Sequence, residues 1–172
     1  MKKVSIALII SILTCMCGFR VLAAEPNVIS NSKMDKITGW SGVGGGSLTI
    51  DSSQDSSGEN GSSLKAVFSS GNFYDVLTNV NMSVGTTYTV SFYARGSEEG
   101  IRILPIRFFE SGYAYLPTQT ISTKWELYTF EWTQPDVNSS GAKINGGGTL
   151  AFRIQDSGTV WFDNVKAVDA SY

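Results

Sequence analysis

The chain is 172 residues long, carries 13 Lys and Arg against 15 Asp and Glu, and contains no histidine. Without an imidazole no Ser-His-Asp or Cys-His nucleophile can be assembled, and the commonest neutral-pH general base and metal ligand is missing. Three basic residues (Lys2, Lys3, Arg20) and both cysteines (Cys15, Cys17) fall in the first two dozen positions. The remainder holds ten basic against fifteen acidic groups, a net −5 that excludes nucleic acid and anionic lipid as expected partners.

In chain order, residues 1–24 read as a secretory signal peptide: a basic start at Lys2 and Lys3, an apolar run from Val4 to Leu13, and small residues at Ala23 and Ala24. That run is shorter than the ~20 residues a membrane span needs, and no later stretch is continuously apolar. The expectation is a secreted, extracellular protein with no membrane span. Thr14 before Cys15 is a poor match to a lipoprotein processing site. Residues 25–172 then form one domain without disulfides, long enough to bury about 68–70% of its unfolded surface.

From there on no apolar repeat at helical spacing appears. Short β-branched and aromatic runs predict strands over 27–31, 46–51, 62–69, 73–81, 87–95, 101–109, 113–121, 125–133, 148–155 and 159–168. Over 88–95 the alternation sends Tyr88, Val90, Phe92 and Ala94 inward, and over 150–155 it sends Leu150, Phe152 and Ile154 inward. Turns are expected at 41–47, 51–63, 96–100 and 135–148, which are rich in Gly, Ser, Asn and Asp. Gly44 to Gly46 and Gly146 to Gly148 each precede a strand rather than a helix, so neither is a phosphate cradle. Trp125 and Trp161 are expected in the core. The class is all-β, a two-sheet β-sandwich.

Four stretches carry a resemblance. They are Asn31-Ser-Lys-Met-Asp35 with Gly39-Trp40, Ser57-Gly58 through Ser63-Leu64-Lys65, Tyr88-Thr-Val-Ser-Phe-Tyr-Ala-Arg95, and Gly158-Thr-Val-Trp-Phe-Asp-Asn-Val165, with Trp125 and Phe130 between the last two. In this order they resemble the carbohydrate-binding modules of families four, nine, sixteen and twenty-two. Met34 and Asp35 stand where the family has Phe and Glu. The resemblance implies a galactose-binding-like jelly roll in which one sheet, here 73–81, 101–109, 113–121 and 148–155 with 46–51, forms a concave glycan cleft.

A sugar ring has apolar C–H faces and a polar rim, so such a cleft needs exposed aromatic planes beside amide, carboxylate or guanidinium groups. On the implied cleft strands the candidates are Phe73, Tyr74, Arg107, Tyr115, Gln119, Arg153 and Gln155. Of the adjacent pair, Tyr74 is the one expected outward, since its hydroxyl tolerates water. The resemblance also implies a structural calcium ion, held by the Asp35 and Asp163 carboxylates with backbone carbonyls from the Gly58 turn and the Lys65 strand. Calcium accepts about six to eight oxygens, which suits a site with neither histidine nor cysteine.

The expected function is non-catalytic binding of a polysaccharide of the β-glucan, xylan or mannan class, alone or beside a separate glycoside hydrolase. A cell-surface adhesion sandwich that binds another protein is the alternative. An acid-base hydrolase or lyase remains chemically open, but no carboxylate pair stands in a recognisable catalytic signature.

Overall fold

A computed structural model describes residues 26–58, 61–110, 112–138 and 140–172. The expected signal peptide, with both cysteines, lies outside the described residues. Among those residues there are eleven strands, and no helix is long and apolar enough to cross a membrane.

The strands are β1 (Trp40–Gly44), β2 (Gly46–Asp51), β3 (Ser63–Phe68), β4 (Tyr74–Asn81), β5 (Thr87–Gly96), β6 (Ile101–Phe109), β7 (Gly112–Tyr115), β8 (Gln119–Ile121), β9 (Glu126–Thr133), β10 (Gly147–Ile154) and β11 (Gly158–Asp169). One sheet runs β1-β4-β10-β6-β7 with β8 also on β6, and the other runs β2-β3-β11-β5-β9. Every pairing is antiparallel. The β-sandwich jelly roll is therefore the fold.

Alternation builds the core as expected. Tyr88, Val90, Phe92 and Ala94 of β5 are buried, as are Leu150, Phe152 and Ile154 of β10. Phe92 stands at the centre, its ring centroid 4.9 Å from Phe152 and 6.0 Å from Phe162, while Tyr128 stacks on it at 5.5 Å. Each such buried aromatic contributes about 1.5–3 kcal/mol by leaving water, and the rings interlock across the two sheets.

Four expectations fail for identifiable reasons. Residues 27–31 form turns rather than a strand, because the Asn27 side chain ties them down: its Oδ1 accepts from the amides of Ile29 (3.1 Å) and Ala167 (2.9 Å). The expected turn at 41–47 holds most of β1, which pairs with β4, and Gly44 with φ +114° then lets the chain leave one sheet for the other. As a result β2 pairs with β3, so residues 46–51 belong to the second sheet and not to the expected cleft sheet. The stretch 113–121 is broken into β7 and β8 at Leu116-Pro117, where proline has no amide to continue a ladder.

Nor do Trp125 and Trp161 enter the core. Phe162 takes the inward direction on β11, which puts Trp161 on the outer face of the second sheet, half-buried. Its indole Nε1 donates to Asp51 Oδ2 (2.9 Å), and the Arg95 guanidinium and Lys65 ammonium lie 4.9 and 5.6 Å from its ring centroid. Trp125, just before β9, is also half-buried.

Candidate functional site

The register of the first sheet decides which side chains share its outward face. Across β1, β4, β10, β6 and β7 one row runs Ser41, Leu77, Ala151, Ile106, Tyr115. On one side of it lie Val43, Asp75, Arg153 and Leu104, and on the other Asn79, Thr149, Phe108 and Tyr113. These rows alternate with core-facing rows containing Val76, Phe152 and Leu150, so they point away from the core.

At the β7 edge Tyr113 and Tyr115 are 55% and 58% exposed, with ring centroids 5.0 Å apart and planes inclined by 54°. Phe108 lies 6.1 Å from Tyr113. These three rings, with Ile106 and Arg153, line a depression of about 180 Å³. The side-chain hydrogen bond with Tyr113 holds the Tyr115 phenol above its ordinary pKa. The Tyr115 phenol therefore stays a neutral donor and acceptor at any physiological pH.

Beside the tyrosines Arg153 is clamped. Its Nε and Nη2 donate to the two carboxylate oxygens of Asp75, each at 2.8 Å, and its guanidinium lies 4.0 Å from the Phe73 ring centroid. The hydrogen bonds to Asp75 push the Arg153 pKa further up. Asp75 is buried and Arg153 partly exposed, so the pair presents a guanidinium fixed in one plane with spare N–H groups. Toward β1 the same face carries a second depression of about 320 Å³, whose lining includes Ser41, Val43, Leu77, Asn79 and Thr149.

Of the expected cleft residues, Phe73, Tyr115 and Arg153 come together here. Gln155, half-buried just past the end of β10, lines neither depression. Three others do not belong. Tyr74 points inward and is 2% exposed, its ring filling space left by Gly42 and Gly46, where a methyl group would overlap it. Burial pushes its phenol pKa up. Phe73, not Tyr74, is the outward member of that pair.

Arg107 shares the core-facing row of Leu150 and is fully buried. Its Nη1 and Nη2 donate to the carbonyls of Phe108 (2.7 Å) and Gly146 (2.8 Å), its guanidinium lies over Phe109 at 5.3 Å, and burial lowers its pKa to about 10. It ties β6 to the start of β10 and cannot meet a ligand on the outer face. Gln119 pairs with core-facing Ile103 and donates its amide back to Pro117 O at 2.8 Å, because the break at Pro117 resets the alternation that linked it to Tyr115. Tyr113 and Asp75 were missed. Tyr113 stands two residues before Tyr115 and so shares its face, a signal visible in the sequence. The Asp75–Arg153 pairing depends on β4 lying beside β10 and leaves no local trace.

The expected metal residues divide. Asp35 and Asp163 do line one depression of about 320 Å³, together with Lys33, Asp55, Ser57, Ser62 and Asn164. Gly58 itself lines the neighbouring depression, while Ser57 of the same turn and Ser62, just before β3, line this one. Asp163 Oδ2 accepts from the amide (2.9 Å) and hydroxyl (2.7 Å) of Ser56, and Oδ1 from the Asn164 amide (2.7 Å). Carboxylates, hydroxyls and a side-chain amide are donors that calcium accepts. Among the described residues no three carboxylates converge as metal ligands, so carbonyls and water would have to supply much of any coordination sphere.

The family profile described as carbohydrate binding domain matches residues 26–155. No curated protein sequence matches the chain. Among solved structures, the CBM22-1-GH10 modules of Clostridium thermocellum endo-1,4-beta-D-xylanase 10B, complexed with xylohexaose, align with a TM-score of 0.67 at 13% identity. That alignment covers 84% of this chain and only 28% of the xylanase chain. The CBM22-2 xylan-binding domain from Paenibacillus barcinonensis Xyn10C aligns with a TM-score of 0.61 at 19% identity over 79% of this chain and 94% of that one. TmCBM61, in complex with beta-1,4-galactotriose, gives 0.59 at 13% over 84% and 99%. At these identities the likeness is one of fold.

Proposed function

The chain belongs to the carbohydrate-binding domain family, and on that premise we propose that its outward first-sheet face binds a neutral polysaccharide of the β-glucan, xylan or mannan class without transforming it. The observation that carries this reading is the exposed Tyr113–Tyr115 pair beside an Arg153 held flat by Asp75. Pyranose C–H faces lie on the phenol rings, and ring hydroxyls bridge to the spare guanidinium N–H groups and to the phenol hydroxyls. A neutral chain fits because the Arg153 charge is already balanced by Asp75.

A binding role rather than hydrolysis is supported by the state of Asp75, which is engaged on both oxygens. Carboxylate-driven glycoside hydrolysis needs two carboxyls flanking the bond, one of them able to give up a proton. In this reading residues 1–24 direct export, the protein acts outside the cell, and any glycoside hydrolase it assists is a separate chain. Calcium in the depression of Asp35 and Asp163 would hold the first loop against the last strand.

The test is retardation of the protein, residues 25–172, in native gels containing xylan, glucomannan or mixed-linkage β-glucan. Retardation in at least one gel is expected, with Tyr115→Ala weakening it about fivefold, since a stacking aromatic is worth ~1 kcal/mol or more. Unaltered mobility across the panel would instead favour a protein ligand for this face.

A further inference from the structure

On the opposite side of the sandwich, at the outer face of the second sheet, the β2–β3 connection forms a strap fastened at several points. Asp51 Oδ1 accepts from the amide (3.0 Å) and hydroxyl (2.6 Å) of Ser53, and its Oδ2 takes the Trp161 indole N–H. Gln54 Oε1 accepts from Arg95 Nη1 at 2.8 Å, and Ser56 donates to Asp163. Between this strap and Trp125 lies a depression of about 320 Å³, with Ser52, Gln54 and Asp55 on the strap side.

Trp125 is distinctive. Trp40, Trp132 and Trp161 each have a hydrogen-bond partner for the indole N–H and a ring or cation against the ring. Among the described residues Trp125 has neither, and it is half-buried along the wall of a polar hollow. Because Arg95 occupies Gln54 Oε1, the Gln54 amide has its Nε2 donors left for something else. Ser52 is exposed and adds a hydroxyl, and Asp55 adds a carboxylate whose position is set by Ser57 Oγ (2.6 Å) and the Gly58 amide (2.8 Å). An aromatic plane with an amide, a hydroxyl and a carboxylate around it is the combination that recognises an apolar ring face with a hydroxyl rim.

We propose that this depression is a second sugar site, separate from the first-sheet face, which takes one neutral pyranose residue at a chain end, stacked on Trp125 and hydrogen-bonded by Gln54 and Ser52. A single residue suits it because the volume is at the lower end of the range for small-ligand pockets. The strap is already ordered by its bonds to Trp161, Arg95 and Asp163, so a ligand does not have to order it. Two sites on opposite sheets would let one molecule hold the length of one glycan and the end of another.

Methyl β-glycosides of glucose, xylose, mannose and galactose, titrated in the millimolar range and followed by two-dimensional NMR of the tryptophan indole N–H signals, test this. At least one glycoside should shift the Trp125 signal and bind Tyr115→Ala as well as wild type. Trp125→Ala should weaken that binding about tenfold. Ser52→Arg, an exposed change that fills the hollow without touching β9, should do the same while polysaccharide retention persists, and it carries the test if Trp125→Ala does not fold. No binding of any glycoside to wild type would overturn the proposal. Binding that is lost in Tyr115→Ala but kept in Ser52→Arg would also overturn it, and would leave the first-sheet reading intact.

Discussion

Asp75 lies almost wholly buried under Arg153 and accepts two N–H bonds from one edge of its guanidinium, each at 2.8 Å, so the cation beside the tyrosines is fixed by a residue that is itself almost inaccessible from outside. Removing one partner of such a pair strands the other. Asp75→Ala is expected to cost about 3 kcal/mol of stability and to release Arg153 from its plane over Phe73. Tyr115→Ala, by contrast, trims an exposed ring and should leave the unfolding free energy within about 0.5 kcal/mol of wild type while weakening polysaccharide retention. Denaturant unfolding and gel retardation on the two variants separate the roles. Equal stability of Asp75→Ala and wild type would show that the pair is not the anchor described.

Arg107 gives the opposite pattern. It is buried, it feeds the Phe108 and Gly146 carbonyls, and it faces the core row of Leu150. Arg107→Met keeps the stem volume but removes the guanidinium bonds to both carbonyls, of which Gly146 O keeps the Met82 amide (2.8 Å), for a cost of about 1–2 kcal/mol. Polysaccharide affinity should be unchanged at a temperature where the variant is folded. A loss of affinity without a loss of stability would place Arg107 at the ligand after all.

How far the residues announce these positions depends on what sets each strand's direction. β5 alternates cleanly, and on β10 the large apolar side chains alternate although the outward Ala151 is itself buried, so Phe92 and Phe152, which meet in the central cluster, can be oriented from the sequence. At 73–74 both residues are aromatic, and only the space left by Gly42 and Gly46 on neighbouring segments makes Tyr74 the inward one. Arg107 departs from the rule that a charged residue faces outward. Its inward direction follows from Ile103 and Pro105 on the same strand, and the energetic compensation comes from carbonyls that have no sequence signature. Placing Gln119 on the face of Tyr115 requires a continuous strand, and Pro117, visible in the sequence, breaks it. Trp161 looked like core by type, yet its neighbours Lys65 and Arg95 across the sheet give it a cationic outer berth.

The calcium expectation makes the last prediction. Asp35 and Asp163 come from opposite ends of the chain and line one depression, which is the placement an ion there would require. Asp163 already accepts two bonds from Ser56 and one from Asn164, so Asp163→Ala would remove structure whether or not calcium binds. Asp35 is exposed, which makes Asp35→Ala the cleaner variant. An ion that binds only the folded protein adds ~2.7 kcal/mol at one hundred times its dissociation constant, a rise of about 5–10 °C in the midpoint for a domain of this size. Wild type should therefore melt higher in excess calcium than in chelator, and Asp35→Ala should show a much smaller difference. Magnesium should substitute poorly, because it demands a tighter octahedron than carbonyls and water around a wide depression provide. Identical wild-type midpoints in calcium and in chelator, with no metal found by elemental analysis of the purified protein, would remove the ion and leave the Ser56–Asp163 hydrogen bonds as the tie between the β2–β3 connection and β11.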